Sequence, residues 1–203
     1  MCSSDLVVCL QELKAEPEQI PASLATLDGY WTHWHGTRAY SGVGLLVSRS
    51  FASSPPTFDH PPFDFETRIA TARIGDLVVG SVYVPNGGKD YDAKLRFVDA
   101  LIAFGGGLHE AGLPVVLCGD LNITRDDIDV HPKERKVNAI GQRPEERTRL
   151  ASLLDQGLVD LGRALGLNVY DADAKRTPVE ANAYPHRNGA LLGTVEFAPG
   201  IGR

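Results

Sequence analysis

The sequence predicts an α/β protein, with a mixed and largely antiparallel pair of sheets covered by helices. Three observations carry that expectation. Short apolar runs bounded by turn residues, such as Leu6-Val-Val-Cys-Leu10 and Val115-Val-Leu-Cys118, are too brief for helices and read as strands. Arg68–Ile74 and Leu77–Val84 are joined by Gly75-Asp76, a two-residue link suited to a primed hairpin turn. Strands lead every stretch of helical periodicity, and no internal repeat interrupts that order.

Taken from the N-terminus, Leu6–Leu10 is the first strand and runs into Gln11-Glu12. A charged loop with two prolines, Lys14–Pro21, follows. Gly29–Arg38 alternates so that His33 and His35 share one face and Trp34 takes the other, as in a half-buried strand. Zinc needs further ligands at suitable spacing, and the local sequence supplies none. Tyr40–Val47 reads as a turn plus an apolar strand, and Phe51–Phe65 as a proline- and serine-rich loop. The hairpin follows and delivers Tyr83 to a strand end, beside the turn Pro85-Asn-Gly-Gly88. A tyrosine there either packs in the core or aims its phenol into a cleft.

Tyr91–Phe104 has helical spacing in Leu95, Val98, Leu101 and Ile102, with Lys94, Arg96 and Asp99 on its surface. Gly105-Gly-Gly107 is expected to end it. After the strand Val115–Cys118, Pro144 with Glu145 and Glu146 starts a second helix, its acids at the positive end of the dipole. Leu150, Leu153, Leu154, Leu158 and Leu161 carry its apolar stripe.

Length and composition narrow the class. At 203 residues, 43% hydrophobic and 23% charged, the chain suits one soluble globular domain. No apolar run reaches the roughly 20 residues that span a bilayer, so no membrane partner is expected. Cys2, Cys9 and Cys118 read as small buried thiols of a reducing, cytoplasmic compartment. A net charge of −6 argues against nucleic-acid binding by bulk positive charge. A local basic cluster remains, Lys133, Arg135, Lys136, Arg143, Arg147 and Arg149, either a solvated face or a phosphate-contacting surface.

The chemistry concentrates at two strand ends. In Gly119-Asp-Leu-Asn122, Asp120 and Asn122 lie two apart and point the same way if extended. An Asp/Asn turn is the plain alternative. Glu12 closes the other apolar run. Two adjacent buried strands would deliver both carboxylates to one rim, where a hard divalent cation finds the oxygen ligands it prefers.

Together these stretches resemble the exonuclease III / apurinic-apyrimidinic endonuclease family of the endonuclease/exonuclease/phosphatase superfamily. The resemblance rests on Leu10-Gln11-Glu12, Tyr40-Ser-Gly-Val43, Tyr83-Val-Pro-Asn-Gly87, Ala93-Lys-Leu-Arg-Phe97, Gly119-Asp-Leu-Asn-Ile123, Asp129-Val-His131 and Gly157-Leu-Val-Asp160, in family order. It implies a four-layer α/β/β/α sandwich and a hydrolase of DNA phosphodiesters, acting as a 3'-5' exonuclease and abasic-site endonuclease in base excision repair. The implied cofactor is Mg²⁺ or Mn²⁺, and the implied partner is double-stranded DNA with abasic sites, met by a monomer. By the same resemblance Glu12, Asp120 and Asn122 hold the metal. Asp120 also positions water or handles a proton, Asn122 holds it and the phosphate, Tyr83 directs its phenol at the phosphate, and Asn86 contacts the DNA backbone.

The sequence also departs from the family. The opening strand ending in Trp-Asn, the Trp-Trp pair, the Arg-Ile-Asp-Tyr strand and the closing Ser-Asp-His are not found. The expectation is a family domain over 7–165, incomplete at both ends. Residues 1–6 resemble a translated adapter, a non-native leader, and 166–203 form a divergent tail, irregular or non-native. Lacking the histidine base, the chain is expected to be nearly or wholly inactive, slower by at least about 10²–10⁴-fold. Two other readings stand beside this one: a non-catalytic nucleic-acid-binding relative, and a superfamily phosphatase acting on small phosphoesters.

Overall fold

A computed structural model describes residues 6–164 and the backbone of Leu192–Phe197. The expected leader falls almost wholly outside those residues, and so does the tail apart from that one backbone segment. Two sheets face each other. The smaller holds β1 (Val7–Gln11), β2 (Tyr30–Thr37) and β3 (Tyr40–Ser48) in the order β1-β3-β2, antiparallel throughout. The larger holds β4 (Thr57–Asp59), β5 (Ile69–Ile74), β6 (Leu77–Tyr83), β7 (Val115–Asp120), β8 (Leu158–Asp160) and β9 (Leu192–Phe197). Its order is β4-β5-β6-β7-β9-β8, and β6/β7 is its parallel pair.

Two apolar layers follow from strand alternation. Val43, Leu45 and Val47 of β3 meet Ala70, Ala72 and Val79 of the other sheet and fill the space between the sheets. The opposite face of the large sheet presents Ile69, Val78, Val82, Val115 and Leu117. Two helices cover it: α2 (Tyr91–Glu110) with Phe97, Val98 and Leu101, and α3 (Pro144–Leu154) with Leu150 and Leu153. On the far side the short α1 (Ala22–Ala25) lies against β2, where Thr32 Oγ1 donates to the Ala25 carbonyl at 2.6 Å. That makes four layers, the outer one over the small sheet being thin. The short α4 (Leu161–Ala164) follows β8.

Two local expectations are corrected. Gly105-Gly-Gly107 does not end α2, which runs on to Glu110. Gly105 and Gly106 are buried, and a Cβ on Gly106 would come within 2.6 Å of Gln156 Oε1, so close packing offsets the propensity cost of about 1 kcal/mol per glycine. Lys94 is not on the helix surface: its side chain is fully buried. The hairpin link and the strand end at Tyr83 are as expected. Cys9 and Cys118 are half-buried thiols that form no disulfide. Among the described residues, no helix is long and apolar enough to cross a membrane.

Candidate active site

β1 reaches the site because the two sheets are tied at its end. Gln11 Nε2 donates to Ser81 Oγ at 3.0 Å, and Ser81 Oγ donates to the Leu10 carbonyl at 3.0 Å. Ser81 lies on β6 and is wholly buried, so this polar link between sheets is satisfied on both sides. Just past it Glu12 turns into the left-handed region at φ 55°. Backbone bonds from Leu13 to Gly42 and from Lys14 to Ser41 fix that turn. Glu12 therefore stands at the rim, half of its side chain exposed.

β6 and β7 end side by side, in a register that pairs Tyr83 with Asp120. Gly119 makes this approach possible. Its φ is 151°, and a Cβ there would fall far inside contact distance of the Val82 carbonyl oxygen. No other residue fits. The Tyr83 hydroxyl donates to Glu12 Oε1 at 2.8 Å, and Glu12 Oε2 pairs with Lys14 Nζ at 2.9 Å. Burial pushes the Tyr83 phenol up to about 12; the Glu12 bond and charge and the Asp120 charge add to the rise, while Arg68 opposes it. Arg68 lies 4.9 Å from the ring centroid. Tyr83 is thus a neutral donor at pH 7, and both acids act on one phenol.

Past β7 the chain folds into an Asx-type turn, with the Asn122 amide donating to Asp120 Oδ1 at 2.9 Å. Asn122, at φ 51°, donates from Nδ2 to the Val84 carbonyl at 2.8 Å. The Val84 amide returns to the Asp120 carbonyl at 2.9 Å. Asn86 is exposed on the neighbouring turn. Beneath both asparagines sits Lys94, whose Nζ donates to the Asn122 carbonyl at 2.8 Å and the Asn86 carbonyl at 3.3 Å. Sequence reasoning missed Lys94 as part of the site. Its signal was its place on the same helical face as Val98 and Leu101.

The structure thus brings Glu12, Tyr83, Asp120 and Asn122 to one rim, with Asn86 beside them. The acids and the Asn122 amide offer hard oxygen donors, two carboxylates among them. Mg²⁺ is usually held by one or two carboxylates and keeps several waters, so the donor set fits it. Among the described residues no group of three or more His, Cys, Asp or Glu side chains is arranged to hold a metal.

Other motifs resolve differently. Asp129 is buried, bonded to the Asp126 amide at 2.8 Å and to Arg163 at 2.6 Å, and so locks a loop to α4. In the basic cluster, Arg147 pairs with Asp127 and Arg149 with Asp99, both at 2.8 Å. His33 and His35 are joined by His60, distant in sequence, at the edge where β2 meets the segment after β4.

Residues 4–189 match the model of the Endonuclease/Exonuclease/phosphatase family, and the chain belongs to that family. It is 33% identical over 173 residues to the DNA repair nuclease APEX1 of Danio rerio, covering 78% of this chain and 53% of that protein. It is 29% identical over 158 residues to the exodeoxyribonuclease of Bacillus subtilis (strain 168), covering 76% and 62%. The chain thus spans only about half to three-fifths of these relatives' length. Among solved structures, a 3' phosphatase from Neisseria bound to a product DNA hairpin superposes with a TM-score of 0.72 at 25% identity, covering 96% of this chain and 76% of that one.

Proposed function

We propose that this chain carries the core of a divalent-metal-dependent DNA phosphodiesterase of exonuclease III type. Its substrate is double-stranded DNA, cut at abasic sites and from 3' ends, and it works as a cytoplasmic monomer. The supporting observation is the 2.8 Å bond from the Tyr83 hydroxyl to Glu12, with Asp120 paired beside Tyr83 on the adjoining strand. In this reading Glu12, Asp120 and Asn122 hold Mg²⁺ or Mn²⁺. The ion supplies Lewis-acid neutralisation of the charge that builds on the phosphate. Tyr83, kept protonated, donates to a phosphate oxygen or the leaving oxygen, and Asn122 gives a second neutral donor. Asp120 orients the attacking water and takes up its proton. Asn86 contacts the DNA backbone and fixes its register.

The test is nicking of a duplex with one abasic site, with Mg²⁺ and with chelator. Cleavage is expected only with the metal and is lost in Glu12→Gln. Chelation-insensitive binding without any cleavage would instead mark a non-catalytic binder. A second reading is favoured by the 3' phosphatase among the structural neighbours. Removal of a 3'-terminal phosphate uses the same residues, and a 3'-phosphorylated duplex belongs in the assay. Inositol phosphates serve there as the control for a small-phosphoester phosphatase.

A further inference from the structure

We infer that Lys94 is a positioning residue that sets both asparagines of the site through their backbones, an inference that rests on the phosphodiesterase reading. A buried ammonium needs a partner for each of its three donors. Lys94 donates to the Asn122 carbonyl at 2.8 Å and the Asn86 carbonyl at 3.3 Å, and its charge is met by an ion pair with Glu146 Oε1 at 2.5 Å. Both charged side chains are fully buried. The two carbonyls belong to separate loops, one after β6 and one after β7, and each loop carries one asparagine.

Packing reinforces the bonds. A Cβ on Gly87 would lie 2.9 Å from Lys94 Cδ, so the turn bearing Asn86 rests directly on the lysine stem. Glu146 in turn accepts from the Gly141 amide at 2.7 Å and the Arg143 amide at 3.0 Å, anchoring the ammonium to the start of α3. Gly141 donates nothing further to the site but its carbonyl accepts from the Thr124 amide at 2.8 Å, two residues past Asn122. The α2 helix thereby fixes the spacing between the two amide side chains. Glu12 is set independently, at the end of β1, whereas the Asp120 carboxylate is tied to the same loop through the Asn122 backbone amide at 2.9 Å.

The experiment uses the full chain in three forms: parent, Glu146→Gln, and Lys94→Met/Glu146→Gln. The double variant leaves no uncompensated buried charge, so it avoids the failure expected of Lys94→Met alone. Amide exchange is measured over 84–88 and 121–124. The double variant is expected to exchange faster in both segments by about tenfold, while β5 and β6 stay protected; Glu146→Gln alone keeps both carbonyl bonds but leaves the buried Lys94 charge unpaired, so it loses global stability and opens β5 and β6 as well. Mn²⁺ affinity, read by electron paramagnetic resonance, should fall by about threefold or more because Asn122 is one of the ligands, and affinity for abasic duplex in Ca²⁺ should fall about tenfold. In an Asn86→Ala/Asn122→Ala background that last loss should vanish. Unchanged exchange in either loop overturns the inference, as does equal loop opening in Glu146→Gln with β5 and β6 still protected, or a loss of binding that persists without the asparagines. A parent that neither binds nor cuts DNA refutes the phosphodiesterase reading instead, and the exchange data still decide the role of Lys94.

Discussion

The hydroxyl of Tyr83 donates to Oε1 of Glu12 at 2.8 Å, joining positions 71 apart in sequence and strand ends of two different sheets. A phenol beside a carboxylate resists ionisation, because its charged form would face a like charge. Removing the Glu12 charge in Glu12→Gln should lower the Tyr83 pKa from about 12. Burial and the Asp120 charge then keep it above an ordinary phenol. Tyrosinate absorbance in an alkaline titration, with Tyr83→Phe as the blank, reads this directly. Tyr83→Phe itself should slow abasic-site cleavage by about 10²–10³-fold, the usual cost of one transition-state donor. An unshifted titration in Glu12→Gln would show that the pair does not persist in solution.

Gly119 sets how closely β6 and β7 end. Its positive φ and the Val82 carbonyl both exclude a side chain, and that carbonyl cannot move without breaking the parallel ladder. Gly119→Ala should therefore cost on the order of 3 kcal/mol or more, combining backbone strain with overpacking. For a domain of this size that corresponds to a Tm lower by roughly 6–12 °C. Gly75→Ala, at a turn where nothing lies within 4 Å of an added Cβ, is the control and should lose far less. Equal losses at the two positions would mean that φ alone, and not the close approach, is responsible.

Much of this was legible in sequence because period-two alternation and turn residues report local geometry. The runs at Val7 and Val115 read as strands, Gly75-Asp76 read as a hairpin link, and Glu12, Tyr83 and Asp120 were placed at strand ends. What stayed hidden was set by distant partners. Lys94 looked like a surface lysine because its place on the Val98 and Leu101 face hints at burial without revealing the partner that makes burial tolerable, Glu146, 52 positions on. Gly105 and Gly106 looked like a helix stop because propensity cannot see Gln156. His60 comes from a proline-rich loop with no pattern of its own, so its meeting with His33 and His35 could not be foreseen.

The buried ion pair has a stability consequence separate from its positioning role. Lys94→Met leaves the Glu146 carboxylate buried with two amide donors and no cation. Breaking one side of such a pair costs about 3–5 kcal/mol, whereas neutralising both sides costs far less. Urea denaturation of the single and double variants checks this. The double Lys94→Met/Glu146→Gln chain should recover most of the loss; if it is no more stable than Lys94→Met, uncompensated charge is not the cause.

Acid should weaken the fold through the histidine cluster. His33 Nε2 lies 2.8 Å from His60 Nε2, and their ring centroids are 5.0 Å apart, so the rings point nearly end to end and share one hydrogen between them. His35 stacks on His60 at 3.6 Å and bonds Asp64 at 2.7 Å, while Phe58 stacks on His33 and Asp59 adjoins His60. A second proton in the His33–His60 pair would set N–H against N–H. Burial, with the His60 and His35 charges, lowers His33 to about 4, and burial likewise lowers His60. Because the folded pKa lies below the unfolded one, the unfolded chain takes up the proton first. The contribution is complete above pH 6.5 and is lost as pH falls from there toward 4. After discounting for partial exposure it amounts to about 1–2 kcal/mol. Asp64 acts in a lower window: burial raises it, but the His35 bond and two amides outweigh that, so its share is lost only as pH falls through its depressed value. Urea midpoints at pH 7.5, 5.5 and 4.5 should therefore fall for the parent and fall less for His33→Gln. Parallel slopes for the two chains would remove the pair as the origin of acid sensitivity.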